Sequence, residues 1–193
     1  MNAFEKQWQK ITALCLAEKS KNPIEIMCKL MDLEFCNVRG HEHHMMVSAA
    51  LLTAYFNALS KDNSVNECGN ASMNLSQALQ KLETMEEFNI GGDCDYWSGC
   101  RAVSGARAFW SIISNQNELF NTLTMEAANA VSSVCGQRCC KRSAYLVISK
   151  VAEFVKNHLG TQMELTEFVC KYSSKNRDCL LEDCPYNEHY IKV

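Results

Sequence analysis

The sequence predicts a single all-α domain, a helical bundle with an irregular cysteine-rich tail. Three observations lead there. Apolar residues recur at helical spacing through most of the chain. No segment holds the two-residue alternation of a strand, and there is no internal repeat or low-complexity tract. Only two prolines fall in 193 residues, so little interrupts a helix. That length is enough to bury a core, and 47% hydrophobic with 21% charged residues is a globular composition.

The elements follow in order. Phe4, Trp8, Ile11 and Cys15 predict an amphipathic helix over residues 3–18, which Ser20-Lys-Asn22 breaks. Asn22 is a good N-cap, Pro23 suits the first helical position, and Glu25 stands where a capping box places its acid. A second helix is expected over residues 23–35, burying Ile26, Leu30 and Leu33. After the turn at Arg39-Gly40 and the run His41-Glu-His-His44 comes MMVSAALLTAYFNALS, a helix buried on most sides. Residues 62–69 read as an exposed loop. Residues 71–88 are amphipathic through Leu75, Leu79, Leu82 and Met85, until Asn89-Ile-Gly-Gly-Asp93 breaks the pattern.

The stretch that runs on to Ile113 reads as a thin helix with Cys100 within its first turns. Gly99, Ala102, Gly105, Ala106 and Ala108 let another backbone or a ligand come close, at a cost in helix propensity. Asn115-Gln-Asn117 reads as a loop. Residues 124–135 are helical by pattern, and residues 143–159 are the last good helix, ended by Gly160. The tail that follows has little apolar periodicity.

Several function classes drop out. A formal net charge of −3 gives no general electrostatic case for nucleic acid or an anionic membrane. No apolar run reaches bilayer length. The opening MNAFEKQWQK lacks the apolar core of a secretory signal, so a cytoplasmic location is expected. In a reducing compartment 12 cysteines point to metal, cluster or redox thiols more than to disulfides. Cys15, Cys28, Cys36 and Cys68 are scattered, without partners nearby in sequence, and read as small buried hydrophobes. No glycine-rich nucleotide loop and no nucleophile elbow is present.

Three constellations remain. The densest is Cys135-Gly-Gln-Arg-Cys-Cys-Lys-Arg142, where Arg138, Lys141 and Arg142 bracket Cys139–Cys140 and favour thiolates. With Cys94-x5-Cys100 this pair can hold a cluster or exchange electrons. It can also form a strained vicinal disulfide or chelate a soft metal ion, and the plain alternative is packing. The tail carries Cys170-x8-Cys179-x4-Cys184-Pro, a short polar segment that needs a reason to be ordered. A coordinated metal supplies one, with four thiolates suiting zinc or an iron–sulfur cluster and the fourth ligand drawn from Cys139 or Cys140. Otherwise the tail docks as a loop through Tyr172, Leu180 and Tyr186. In the third, His43 and His44 with Glu42 can ligate Zn, Fe or Ni or do acid–base work, although one of them can equally be a core histidine.

The ordered set of His-Glu-His-His44, Gly91-Gly-x-Cys94-x-x-Trp97-x-x-Cys100, Gly105, Arg138-Cys-Cys-Lys-Arg142 and Cys170…Asn176-Arg-x-Cys179-x4-Cys184-Pro resembles the prokaryotic domain-of-unknown-function family numbered 5714, from about Leu30 to Tyr186. The resemblance implies a cytoplasmic prokaryotic protein, relatives on or beside methyltransferase-like domains, and no established activity. It implies that Cys94, Cys100, Cys139, Cys140, Cys179, Cys184 and Cys170 are family thiols, whereas Cys135 and Gln137 depart from its glycine and proline. A fainter likeness, through Gly99-Cys100 and Gly105, is to the redox family named for a C–GCAxxG–C–C pattern, from which Arg101 departs.

The sequence therefore reads as one domain: an N-terminal helix in residues 1–22, a helical core in 23–160 and a cysteine-rich tail in 161–193. It is expected to bind zinc or an iron–sulfur cluster with a redox or sulfur-handling role. Cys94, Cys100, Cys139 and Cys140 are the candidate reactive thiols and further metal ligands. His43, His44 and Arg138 flank a cofactor, and Cys170, Cys179 and Cys184 bind metal. The alternatives are a metal-free dithiol enzyme or soft-metal binder using Cys139–Cys140, and a helical partner module of a methyltransferase. A methyltransferase or redox protein is the expected partner.

Overall fold

Seven helices surround one apolar core in the computed structural model, which describes residues 2–59, 73–87 and 100–190. They are α1 (Ala3–Ala17), α2 (Pro23–Met31), α3 (Glu42–Leu59), α4 (Leu75–Glu87), α5 (Arg101–Ile113), α6 (Asn117–Ser132) and α7 (Cys140–Leu159). No strand occurs among the described residues, so the fold is all-α, and no helix among them is long and apolar enough to cross a membrane. The expected loop at 62–69 and the break at 89–93 lie outside the described residues.

Helix α3 is the axis. Every side chain from Glu42 to Tyr55 is buried, and α1, α2, α4, α5 and α7 all pack on it. The small residues of α5 serve the approach of α3. A Cβ on Gly105 would stand 2.6 Å from the His44 carbonyl oxygen and 3.0 Å from Val47 Cβ. In that close crossing Ser48 Oγ donates to the carbonyls of His44 (3.1 Å) and Gly105 (3.0 Å). Between the two possibilities for this face, it is a backbone that comes close.

Helix ends depart from expectation for identifiable reasons. Asn22 caps α2 by accepting from the amides of Ile24 and Glu25, but the Glu25 carboxylate turns to Ser20 and Lys29 instead of closing a capping box. The full box is at α1, between Asn2 and Glu5. α2 stops at Met31, short of the expected residue 35, and a run of turns leads to α3. α6 begins at Asn117, inside the expected loop. α7 begins at Cys140, three residues earlier than expected, because the Cys139 sulfur caps it by accepting from the Arg142 amide. Gly160 ends α7 in the left-handed conformation, φ 69°, where glycine carries no steric penalty.

The chain after Gly160 returns as a strap across α2 and α7, with two short 3-10 turns, Ser173–Lys175 and Leu181–Asp183. The Glu164 amide donates to the Lys21 carbonyl (2.9 Å), and Asn22 Nδ2 to Thr166 Oγ1 (2.8 Å). Tyr172 donates to Asp32 Oδ1 at 2.8 Å, and Phe168 and Tyr186 pack their rings on Tyr145 of α7. Tyr172 and Tyr186 dock as the loop reading expected. Leu180 meets Gly136 (φ 112°), where a Cβ would come within 2.6 Å of a Leu180 methyl. That contact lays the tail beside the start of α7.

Candidate metal centre

The first turn of α7 sets one sulfur. Cys139 is buried at the N-cap, and its Sγ accepts two hydrogen bonds of 3.5 Å, from the Arg142 amide and from Asn176 Nδ2 of the strap. Two donors and the N-terminal end of a 20-residue helix thus face this sulfur. Asn176 is itself buried and held in place, its Oδ1 accepting from the Asp178 amide at 3.2 Å.

The strap brings three more sulfurs to that point. The Cys170 amide donates to the Tyr186 carbonyl (2.8 Å), which closes the segment into a loop. The tight turns within it bond Cys179 to the Asn176 carbonyl (3.0 Å) and Cys184 to the Leu181 carbonyl (2.9 Å). The result is a cavity, partly open to solvent, lined by Cys139, Cys170, Cys179 and Cys184 together with Lys141, Arg142 and Asn176 and walled by Tyr145, Tyr172 and Tyr186.

At two of these sulfurs, Cys170 and Cys184, the surroundings disfavour a bare thiolate. Burial pushes the Cys170 thiol up, and the neighbouring Cys139, Cys184 and Cys179 push the same way against a hydrogen bond from the Tyr172 backbone. Burial likewise raises Cys184, with Cys179 and Cys139 adding to it and Arg142 opposing. Two buried thiols raised in part by their sulfur neighbours are a place where a multivalent cation has much to offset. All ten cysteines of the described residues are unbridged, the vicinal Cys139 and Cys140 among them.

Spacing bears on what could fit. Among the described residues, the one set of three or more metal-type side chains whose ligand atoms all lie within 4.8 Å of one another is Cys36, Glu42 and His43. The four cavity sulfurs are spread more widely. A tetrahedral zinc ion with bonds of about 2.3 Å would hold thiolates about 3.8 Å apart, so the cavity as it stands is wider than a single-ion cage.

The Cys36, Glu42 and His43 set lies at the entrance of α3. His43 Nδ1 is 3.1 Å from the Gly40 carbonyl, which leaves Nε2 directed to Cys36 Sγ at 3.8 Å. Glu42, buried, accepts from the Asn37 amide at 2.7 Å. Burial, aided by the nearby Lys141 charge, lowers His43 to about 4, against the pull of Glu42. Lys141 is 2% exposed, and its Nζ lies 3.4 Å from Cys36 Sγ, 3.1 Å from the Asn37 carbonyl and 4.5 Å from the centre of the Tyr172 ring.

The structure thus divides residues that the sequence grouped together. Cys139 stands with Cys170, Cys179 and Cys184. Cys140, Cys100, His43, His44 and Arg138 do not line that cavity. Cys100 is the N-cap of α5 and packs against the core, and Cys94 lies outside the described residues. His44 is buried with its Nδ1 on the His41 carbonyl. Lys141, expected to activate Cys139–Cys140, reaches Cys36 instead, while Arg142 Nη2 donates to the Gln137 carbonyl at 2.6 Å. Cys36, set aside as a lone buried thiol, is the residue that sequence reasoning missed. Its short spacing to Glu42-His43 across the Arg39-Gly40 turn was the available signal.

A family model described as a family of unknown function, DUF5714, matches residues 11–187. No curated protein and no solved structure matches the chain.

Proposed function

We propose that this chain, which belongs to the DUF5714 family, binds an iron–sulfur cluster through Cys139, Cys170, Cys179 and Cys184 and uses it in electron transfer. One observation carries the reading: four sulfurs from two segments, the α7 N-cap and the strap, line one cavity. Four cysteinyl thiolates are the usual ligands of such clusters. Their wide spacing favours a cluster over a single zinc ion.

The surroundings support a redox role. Hydrogen bonds to sulfur and nearby positive charge favour the reduced cluster, and Cys139 Sγ accepts two such bonds beside Lys141 and Arg142. The cavity is partly open, so an electron partner can approach. Asn176 and Arg142 act as positioning residues, since they hold the Cys139 sulfur.

The test is anaerobic purification with iron, acid-labile sulfide and zinc counted per chain, followed by electron paramagnetic resonance after reduction. Iron and sulfide in equal amounts, with a signal in the reduced state, are expected. Replacing any of the four cysteines by Ser should remove most of the iron, whereas Cys15→Ser and Cys135→Ser should keep it. Folded protein that carries only zinc, or neither metal, would sink the proposal.

A further inference from the structure

We infer that Cys36, Glu42 and His43 form a second metal site, which takes a single divalent transition-metal ion of the zinc or ferrous class. The inference is independent of the cluster, since it uses none of the four cavity cysteines. One ligand atom from each residue lies within 4.8 Å of the others. A mixed sulfur, oxygen and nitrogen donor set suits borderline ions and not calcium or magnesium.

The three side chains are set up as ligands are. A metal-binding histidine usually gives its other ring N–H to a carbonyl, which fixes the tautomer. His43 Nδ1 does so with Gly40 at 3.1 Å, and Nε2 is left to face Cys36 Sγ at 3.8 Å. The Glu42 carboxylate is held by the Asn37 amide and folds back over Gly40, so closely that a Cβ there would collide with it. The backbone of Gly40 does not need a glycine for its own conformation, because its φ is not positive. The missing side chain at position 40 makes room for the carboxylate.

Three protein ligands leave a coordination position for water or a substrate atom, as in catalytic sites and unlike closed structural ones. The Lys141 ammonium, 3.4 Å from Cys36 Sγ, stands beside the set. An anionic fourth ligand, such as hydroxide or a carboxylate, matches that charge.

The experiment counts divalent ions on the full chain as isolated, and again after titration with Co2+ monitored by absorption. The expected result is one site carrying a single thiolate-to-cobalt charge-transfer band, over and above whatever the four cavity cysteines hold. Cys36→Ser should remove that band and one equivalent of ion. Glu42→Gln should weaken the site, and Gly40→Ala should weaken it by about tenfold by displacing the carboxylate, the size of effect seen when ligand-orienting groups are lost. The Gly40→Ala variant replaces none of the three ligands and guards against a variant that merely fails to fold. Folded Cys36→Ser and Gly40→Ala proteins that bind the same number of ions with the same spectrum and affinity would overturn the inference. So would a parent protein that takes up no ion outside the four-cysteine cavity.

Discussion

Helix α3 buries every side chain from Glu42 to Tyr55, whereas the strap after Gly160 leaves Leu165, Val169 and Leu181 at 45%, 58% and 57% exposure. Both regions are ordered, by different forces. The bundle is held by continuous apolar burial, which is favourable in proportion to the area removed from water. The strap is held at points: Asn22 to Thr166, Tyr172 to Asp32, and the rings of Phe168 and Tyr186 on Tyr145. Ordering each backbone residue costs roughly 1–2 kcal/mol, and a segment with so few buried apolar side chains offsets that poorly. A bound metal would cross-link the strap to α7 through Cys139, and the difference between the regions is itself an argument for one.

The largest effect should come from the bundle. Leu51→Ala removes a fully buried side chain from α3 and should cost about 2–5 kcal/mol, lowering the denaturant midpoint of the whole molecule. Secondary and tertiary signals should shift together. Cys179→Ser should behave differently. It should leave the helical melt nearly in place and speed proteolysis within the strap by about tenfold, equivalent to roughly 1.4 kcal/mol of local opening. A chelator that strips the metal should reproduce the effect. If Cys179→Ser instead lowers the helical melt as much as Leu51→Ala does, the two regions are one cooperative unit and the comparison breaks.

The same contrast explains what could be read from sequence. Periodicity reports burial on one face, so the stop of α5 at Ile113, the start of α2 at Pro23 and the stop of α7 at Gly160 were all legible, while Cys100, read as lying within α5, is its N-cap. The early start of α7 was not, because its cap is a sulfur and sequence rules look for Ser, Thr, Asp or Asn. That cap also distinguishes Cys139 from Cys140, which adjacency in sequence cannot do. The set around Cys36 escaped although Glu42 and His43 stand only a few positions on, because periodicity does not show that the turn at Arg39-Gly40 folds His43 back onto Cys36. The expectation that His43, His44 and Arg138 flank a cofactor of Cys139 does not match the cavity lining, and His43 turns to Cys36 instead. Helix spacing carries no information on which end of a bundle a loop residue reaches.

The smallest predicted effect concerns the joint between the two regions. Burial works to raise the Asp32 carboxyl, but hydrogen bonds from Lys171 and Tyr172 outweigh it and hold the group below its ordinary value of 3.8. A carboxyl depressed in the folded state adds stability above its unfolded pKa and loses it as pH falls through the folded one. The joint should therefore be fully made at pH 6 and loosen progressively below about pH 4. Asp32 and Lys171 are about half exposed, so solvent screening keeps the contribution below about 1 kcal/mol. Acid also protonates thiolates, so the contribution of Asp32 is the difference between the parent and Asp32→Asn. Hydrogen exchange in residues 170–172 at pH 6 should be faster in Asp32→Asn by a few-fold, with the gap closing toward pH 3. A gap that persists at pH 3 would mean that Asp32 acts through packing, and that the strap is joined to α2 by shape and not by charge.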